Sequence, residues 1–151
     1  MSNPGPYTNG PNDQVVGPID FDVLNRIEKY LAGSQRFSTV DFRPEYAPNA
    51  VVAEFELGYF LSNIERASIR IRWYETDDFT IHYSEHYSDR SLWECRWDRH
   101  PNDHNTRDHF HPPPSAETPG EDANFPWDWR DVMTLVLNEL DARIKSFWDD
   151  E

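Results

Sequence analysis

The chain has 151 residues, of which 37% are hydrophobic, 15% aromatic and 28% charged, and its formal net charge is −14. This length suits one domain with its own core rather than a multidomain enzyme, and the aromatic content argues against a wholly disordered chain. Its one cysteine, Cys95, excludes an internal disulfide and a zinc site built from several cysteines. The longest mostly apolar run, residues 132–137, is far shorter than the roughly 20 residues of a membrane-spanning helix, so we expect a cytoplasmic protein without a membrane partner.

The negative charge comes with an unusual choice of basic residues. The chain has 28 acidic and 14 basic side chains, and Lys29 and Lys145 are its two lysines. A surface of carboxylates whose positive charge is held by arginine tolerates high ionic strength. We therefore predict a protein of an extreme halophile, with an ordinary acidic protein as the alternative. At molar salt the Debye length is about 3 Å, so the acidity does not exclude a nucleic-acid substrate.

The chain begins with a segment unlike the rest. Residues 1–18 combine four prolines and three glycines with little apolar periodicity, so we predict a disordered lead followed by a single domain over residues 19–151. Asp20 is a suitable N-cap, and apolar residues then recur on one helical face until Gly33. This pattern predicts a first amphipathic helix.

Alternating apolar and polar residues then predict four or five strands: residues 35–42, 50–61, 67–73, 79–86 and 91–98. Their short connections favour an antiparallel meander. Residues 99–127 are rich in proline and predict a long loop, and from Asp128 apolar residues at helical spacing predict a second amphipathic helix. We therefore expect an α+β fold, with both helices packed on one face of the sheet and the other face open.

The segment from Arg90 to His111 differs in composition from the rest of the domain. It is electrically neutral and carries four of the six histidines. Histidine exchanges protons near neutral pH, and arginine can hold a phosphate through two parallel hydrogen bonds. Transesterification of RNA needs a base for the 2′-hydroxyl, an acid for the leaving oxygen and positive charge on the non-bridging oxygens. Histidine, aspartate and arginine side chains in one loop can supply all three.

The strand alternation also places basic side chains on the predicted polar faces. If those faces coincide, they form one open surface that a nucleic-acid strand can cross. A solvated face or a ladder of cross-strand charges is the simpler interpretation of the same side chains. The residues that we predict to bind RNA are Arg70, Arg72, His82, Arg99 and Arg107.

A metal site is an alternative use of the same histidines. His109-Phe110-His111 has a spacing that can bind a metal, and His104 or Asp98 can complete such a site. The chain lacks the fixed His or carboxylate spacing of a known metal motif, so we predict no metal and no cofactor. Trp93, Trp97 and Cys95 are predicted to be core residues.

The order of helix, meander, histidine-rich loop and C-terminal helix resembles the TumE family of toxins from type II toxin–antitoxin systems. The resemblance extends over about Phe21 to Phe147. It is carried by Trp93-Glu94-Cys95-Arg96-Trp97-Asp98, Pro101, His104 and His109-Phe110-His111. It implies a small ribonuclease encoded beside a neutralising antitoxin. It also implies a catalytic centre at Asp98, His109 and His111, with Arg96 and His104 as further, secondary candidates.

Together these arguments predict a metal-independent endoribonuclease toxin. His109 or His111 would act as base and acid, Asp98 would orient a histidine or the 2′-hydroxyl, and Arg96 would stabilise the phosphorane. The expected partners are RNA and a cognate antitoxin that binds DNA, with a homodimer left open. Two alternatives remain: a non-catalytic protein that binds a partner through the sheet face or the C-terminal helix, and a metal-dependent nuclease.

Overall fold

The computed structural model describes residues 17–100 and 107–149. Within them the chain forms two α-helices and seven β-strands: α1 (Phe21–Ala32), β1 (Phe37–Arg43), β2 (Ala50–Phe55), β3 (Ile64–Trp73), β4 (Phe79–Tyr87), β5 (Leu92–Arg99), β6 (Asp108–His111), β7 (Glu121–Asp122) and α2 (Trp129–Ser146). Residues 1–16 of the predicted disordered lead lie outside the described residues. Pro18, the last residue of that predicted lead, belongs to the fold, because its carbonyl accepts a hydrogen bond from the backbone N–H of Glu75.

Both predicted helices are confirmed, with the predicted N-terminal caps. The side chain of Asp20 accepts a hydrogen bond from the backbone N–H of Val23 at 3.0 Å, and Asp128 accepts one from Arg130 at 2.8 Å. Each cap satisfies a backbone donor that the first turn of a helix leaves without a partner. Gly33 ends α1.

The strands form one antiparallel sheet in the order β1-β2-β3-β4-β5-β6-β7, which confirms the α+β meander. The apolar faces of α1 and α2 pack with the inward side chains of the central strands in one hydrophobic core. Trp97 and Cys95 belong to that core as predicted, and Trp93 packs against it. Burial, with a contribution from Glu139, raises the pKa of the Cys95 thiol to about 12. Cys95 is therefore a packed core residue rather than a nucleophile.

A buried charge network attaches α2 to the core face of the sheet. The guanidinium of Arg143 donates two hydrogen bonds of 2.7 Å to the carboxylate of Glu85, which is fully buried on β4. The hydroxyls of Tyr83 and Tyr87 donate to the same carboxylate. Both helices therefore pack on this face of the sheet, and the polar face lies on the side opposite them.

The prediction of one long loop over residues 99–127 is wrong in two places. β6 pairs with β5, and the two-residue strand β7 pairs with β6. Only one face of β6 is apolar, through Phe110, whose ring lies 5.5 Å from that of Trp97. Four residues with a single apolar side chain give no readable alternation, and the strand forms because β5 supplies its hydrogen-bonding partner.

Among the residues that the structure describes, no helix has both the length and the apolar character required to cross a membrane.

Candidate active site

The register of the sheet brings the predicted polar faces together on the side opposite the helices. Residues in direct register share a face, so the pairing forms continuous rows across four strands. One row consists of Arg70, His82, Arg96 and His111. The adjacent row consists of Arg72, Thr80, Asp98 and His109.

Asp98 is the centre of this surface. Its side chain is 1% exposed, and its Oδ2 accepts a hydrogen bond of 2.9 Å from Nε of Arg96. Nε2 of His111 lies 3.1 Å from the same oxygen, although the two atoms are not aligned as a regular hydrogen bond. Burial alone would raise the pKa of Asp98, but the nearby His111, Arg96 and His100 hold it below its usual value. The carboxylate is therefore a permanent negative charge at neutral pH.

His111 has a defined arrangement of protons. Its Nδ1 lies 2.8 Å from the backbone carbonyl oxygen of Glu117. A carbonyl oxygen only accepts, so Nδ1 carries a proton and Nε2 is the nitrogen that faces Asp98. Each ring nitrogen of His111 therefore has an acceptor nearby, the carbonyl of Glu117 at Nδ1 and the carboxylate of Asp98 at Nε2.

His109 lies directly opposite Asp98 in the strand register, yet its surroundings differ from those of His111. It is 1% exposed, and among the described residues neither ring nitrogen has a hydrogen-bond partner. Burial lowers the pKa of His109, the neighbouring His100 lowers it further, and the opposing effect of Asp98 does not restore it. His109 is therefore a neutral imidazole that can accept a proton.

The structure separates the five residues predicted to bind RNA into two groups. Arg70, Arg72 and His82 lie on the polar face beside the cluster, and Nε2 of His82 lies 2.7 Å from Oε1 of Glu94. Arg99 and Arg107 do not lie on that face.

The position of Arg99 corrects the prediction for that residue. Arg99 follows Asp98 by one position on β5, so its side chain points to the opposite face of the sheet. It is buried there, donates to Asp108 at 2.8 Å and to the carbonyl of Pro126 at 2.6 Å, and stacks over Trp127. No exposed part of its side chain is left to contact RNA.

Arg107 is held at the end of the sheet by a carboxylate. Its Nε donates to Oδ1 of Asp78 at 2.7 Å, and its guanidinium lies over the ring of Trp127. These contacts connect the β5–β6 and β3–β4 connections, which indicates a structural role. His104, a predicted catalytic residue, lies outside the described residues.

Sequence reasoning missed two parts of the site. His100 lies two residues after Asp98, and its Nε2 is 3.9 Å from Asp98 Oδ2. The alternation of β5 carried that signal, because Arg96, Asp98 and His100 are spaced by two residues. No sequence pattern points to the carbonyl of Glu117, because every residue has a backbone carbonyl and its position depends on the fold.

Within residues 17–100 and 107–149, no group of three His, Cys, Asp or Glu side chains is arranged to hold a metal ion. The geometry that is present combines a neutral histidine, a histidine whose ring nitrogens face two acceptors, a buried carboxylate and a half-buried arginine. Such a set can accept one proton, donate another and stabilise negative charge.

Comparison with known families gives one match. The model of the family described as toxin TumE matches residues 25–144 of the chain, a range that includes all seven strands and the histidine cluster. No curated protein and no solved structure gives a significant match.

Proposed function

The chain belongs to the TumE family of toxins, and from this membership we propose that it is a ribonuclease that cleaves RNA at Arg96, Asp98, His109 and His111 without a metal ion. The observation that supports the proposal is the difference between two neighbouring histidines. The rings of His109 and His111 are 6.1 Å apart, and one lacks a hydrogen-bond partner among the described residues while the other contacts a buried carboxylate. An acid and a base near neutral pH need such a difference in surroundings.

The proposed reaction is an internal transesterification. His109 takes the proton of the 2′-hydroxyl, and the 2′-oxygen then attacks the adjacent phosphorus. His111, as the imidazolium, donates its Nε2 proton to the departing 5′-oxygen. The products are a 2′,3′-cyclic phosphate and a 5′-hydroxyl end, so protons and bonds balance without another reactant.

Asp98 and Arg96 have supporting roles in this scheme. Asp98 places a negative charge 3.1 Å from Nε2 of His111, the nitrogen that donates the proton in this scheme. The side chain of Arg96 is 26% exposed, more than those of its cluster neighbours, and its positive charge can stabilise the phosphorane oxygens.

The enclosed position of the cluster has a consequence for substrate binding. Asp98, His109 and His111 are 1%, 1% and 4% exposed. A phosphate that reaches them must displace part of what covers them, so RNA binding has to open the site. Arg96 and His100, with side chains 26% and 13% exposed, are the accessible members of the cluster and the first that RNA would meet.

The setting of this activity follows from the family and from the composition. A toxin of this family has a cognate antitoxin, and we propose one that binds DNA. The excess of 28 acidic over 14 basic side chains supports adaptation to high salt, and we propose that the protein acts in the cytoplasm.

The test is RNA cleavage by the purified protein in multimolar KCl, with and without EDTA, followed by analysis of the product ends. We expect cleavage that survives EDTA and leaves 2′,3′-cyclic phosphates. His109→Gln and His111→Gln should each abolish it. His86→Gln is the matched control, because His86 is an exposed histidine of the same sheet face outside the cluster.

Two results would overturn the proposal. Loss of cleavage in EDTA with recovery on adding Mg²⁺ or Mn²⁺ would assign a metal-dependent nuclease. A folded protein that binds its antitoxin but cleaves no RNA would assign a non-catalytic interaction protein.

A further inference from the structure

The segment that follows β6 folds back onto β5 at residues 112–120, here called the 112–120 loop. Both backbone groups of Glu94 on β5 bind this loop. The N–H of Glu94 donates to the carbonyl of Pro114 at 2.8 Å, and the N–H of Ala116 donates to the carbonyl of Glu94 at 3.1 Å. Within the loop, the N–H of Glu117 donates to the carbonyl of Pro112 at 3.1 Å. The loop is therefore attached to the strand that carries Asp98.

This attachment places two backbone groups of the loop against His111. The carbonyl of Glu117 accepts a hydrogen bond from Nδ1 of the ring at 2.8 Å. Gly120 lies on the ring itself: a Cβ added there would be 2.9 Å from both Cε1 and Nδ1 of His111 and 3.2 Å from the carbonyl of Phe110. Gly120 also has φ +90°, a conformation that residues with a side chain rarely adopt.

The ring of His111 therefore lies between two acceptors, Asp98 at Nε2 and Glu117 at Nδ1, with the backbone of Gly120 in contact. A 180° flip of the ring would put Cδ2 in the place of Nδ1 and Cε1 in the place of Nε2, and would remove both contacts. A side chain at position 120 would displace the ring from the space that it occupies.

We propose that the 112–120 loop is a positioning element for His111. The carbonyl of Glu117 fixes a proton on Nδ1, and Gly120 leaves the space for the ring, so that Nε2 alone faces Asp98 and the substrate. The part of this inference that concerns proton donation to RNA rests on the proposed function, whereas the part that concerns the ring and its proton does not.

The first test measures the protons of His111 directly. ¹⁵N spectra of the imidazole rings of the full chain are recorded across a pH titration, and His111→Gln assigns the His111 signals by their disappearance. We expect Nδ1 to keep its proton throughout while Nε2 gains and loses one. Deprotonation of Nδ1 before Nε2 would overturn the inference, and the titration itself is recorded on the wild-type protein.

The second test compares two glycine variants. Gly120→Ala should displace the ring, change the His111 imidazole signals and reduce RNA cleavage about 10- to 100-fold. Gly58→Ala is the matched control, because a Cβ added there meets no atom within 4 Å, and both its spectrum and its activity should match the wild type. A Gly120→Ala protein that is merely less stable, with unchanged His111 signals, would show that Gly120 has only a structural role.

The two proposals can fail separately. If the wild type cleaves no RNA but Nδ1 of His111 holds its proton and Gly120→Ala disturbs it, the positioning role stands and the ribonuclease proposal fails. If the wild type cleaves RNA and Gly120→Ala leaves both the spectrum and the rate unchanged, the positioning role fails alone.

Discussion

Asp98 and His111 are diagonal neighbours on β5 and β6, and Oδ2 of Asp98 lies 3.1 Å from Nε2 of His111. The direct partner of Asp98 in the strand register is His109, and that of His111 is Arg96. The diagonal contact brings Arg96 and His111 to the same carboxylate oxygen. One histidine thereby gains a negative neighbour at contact distance and the other does not, which is the difference that acid and base roles require.

Replacement of Asp98 by asparagine should remove this difference while preserving the shape of the side chain. We expect RNA cleavage to fall at least about 100-fold, because His111 and Arg96 both lose the negative charge that they contact. Asp41→Asn is the matched control: Asp41 lies on the same sheet face at the far edge, opposite Val52 of β2. Equal cleavage rates for Asp98→Asn and the wild type would remove Asp98 from the mechanism.

The difference in unfolding free energy between the wild type and Asp98→Asn should become smaller as the pH falls. The pKa of Asp98 is lower in the folded protein than its ordinary value of 3.8. The stability that its ionised form contributes is therefore full above about pH 3.8 and is lost as the pH falls through the folded pKa. Urea unfolding of wild type and Asp98→Asn should show a gap at pH 7 that narrows below pH 3.8, and a gap that widens with acid would contradict this.

The pH dependence of RNA cleavage should reflect the lowered pKa of His109. Burial lowers the pKa of His109 below its ordinary value of 6.5, so the ring stays neutral, and able to accept a proton, in mildly acidic solution. The acidic limb of the kcat/KM profile should therefore have its midpoint below pH 6.5, in the wild type and in His86→Gln alike. A midpoint at or above pH 6.5 would exclude His109 as the base.

Arg70 should contribute to RNA binding through phosphate contact. It lies in the same cross-strand row as His82, Arg96 and His111, on the polar face of the sheet. In the cleavage-deficient His111→Gln background, Arg70→Gln should weaken RNA binding and reduce the slope of log Kd against log [KCl] by about 0.7, the value for one phosphate of a single strand.

The control for Arg70 is Arg26→Gln. Arg26 is an exposed arginine of α1, on the helical side of the molecule, and pairs with Asp22. Its replacement should leave the salt dependence unchanged. The same slope for Arg70→Gln and the parent protein would place the RNA elsewhere.

Arg99 should matter for stability, because it is buried and donates to Asp108 and to backbone carbonyls of residues 77, 125 and 126. Arg99→Met would leave those acceptors without their donor, at a cost of about 2–4 kcal/mol in the free energy of unfolding. Arg26→Met, at an exposed ion pair, should cost less than about 1 kcal/mol. Urea unfolding measures both, and a loss below about 1 kcal/mol for Arg99→Met would mean that its contacts contribute little.

Periodicity predicted most of the fold. Both helices, the first five strands and their meander followed from apolar residues at helical or alternating spacing, because side-chain direction repeats every 3.6 residues in a helix and every two in a strand. The same period placed Arg70, His82, Arg96 and Asp98 on polar faces. Applied strictly, it would also have assigned Arg99 to the core face and His100 to the face of Asp98.

β6 could not be predicted in this way. Its four residues follow a proline-containing connection and carry one apolar side chain, Phe110. Its hydrogen bonds are made with β5, at residues distant in sequence, and a local pattern does not record a partner strand.

The sequence by itself therefore determined which residue types are available and which face of each strand they share, since both depend on local backbone geometry. Only the tertiary structure decided which atoms meet. The β5–β6 register set the diagonal contact of Asp98 with His111 and left His109 in different surroundings. The return of the 112–120 loop brought the carbonyl of Glu117 and the backbone of Gly120 to the ring of His111. These contacts join separate strands or use backbone atoms, so side-chain patterning along the chain does not encode them.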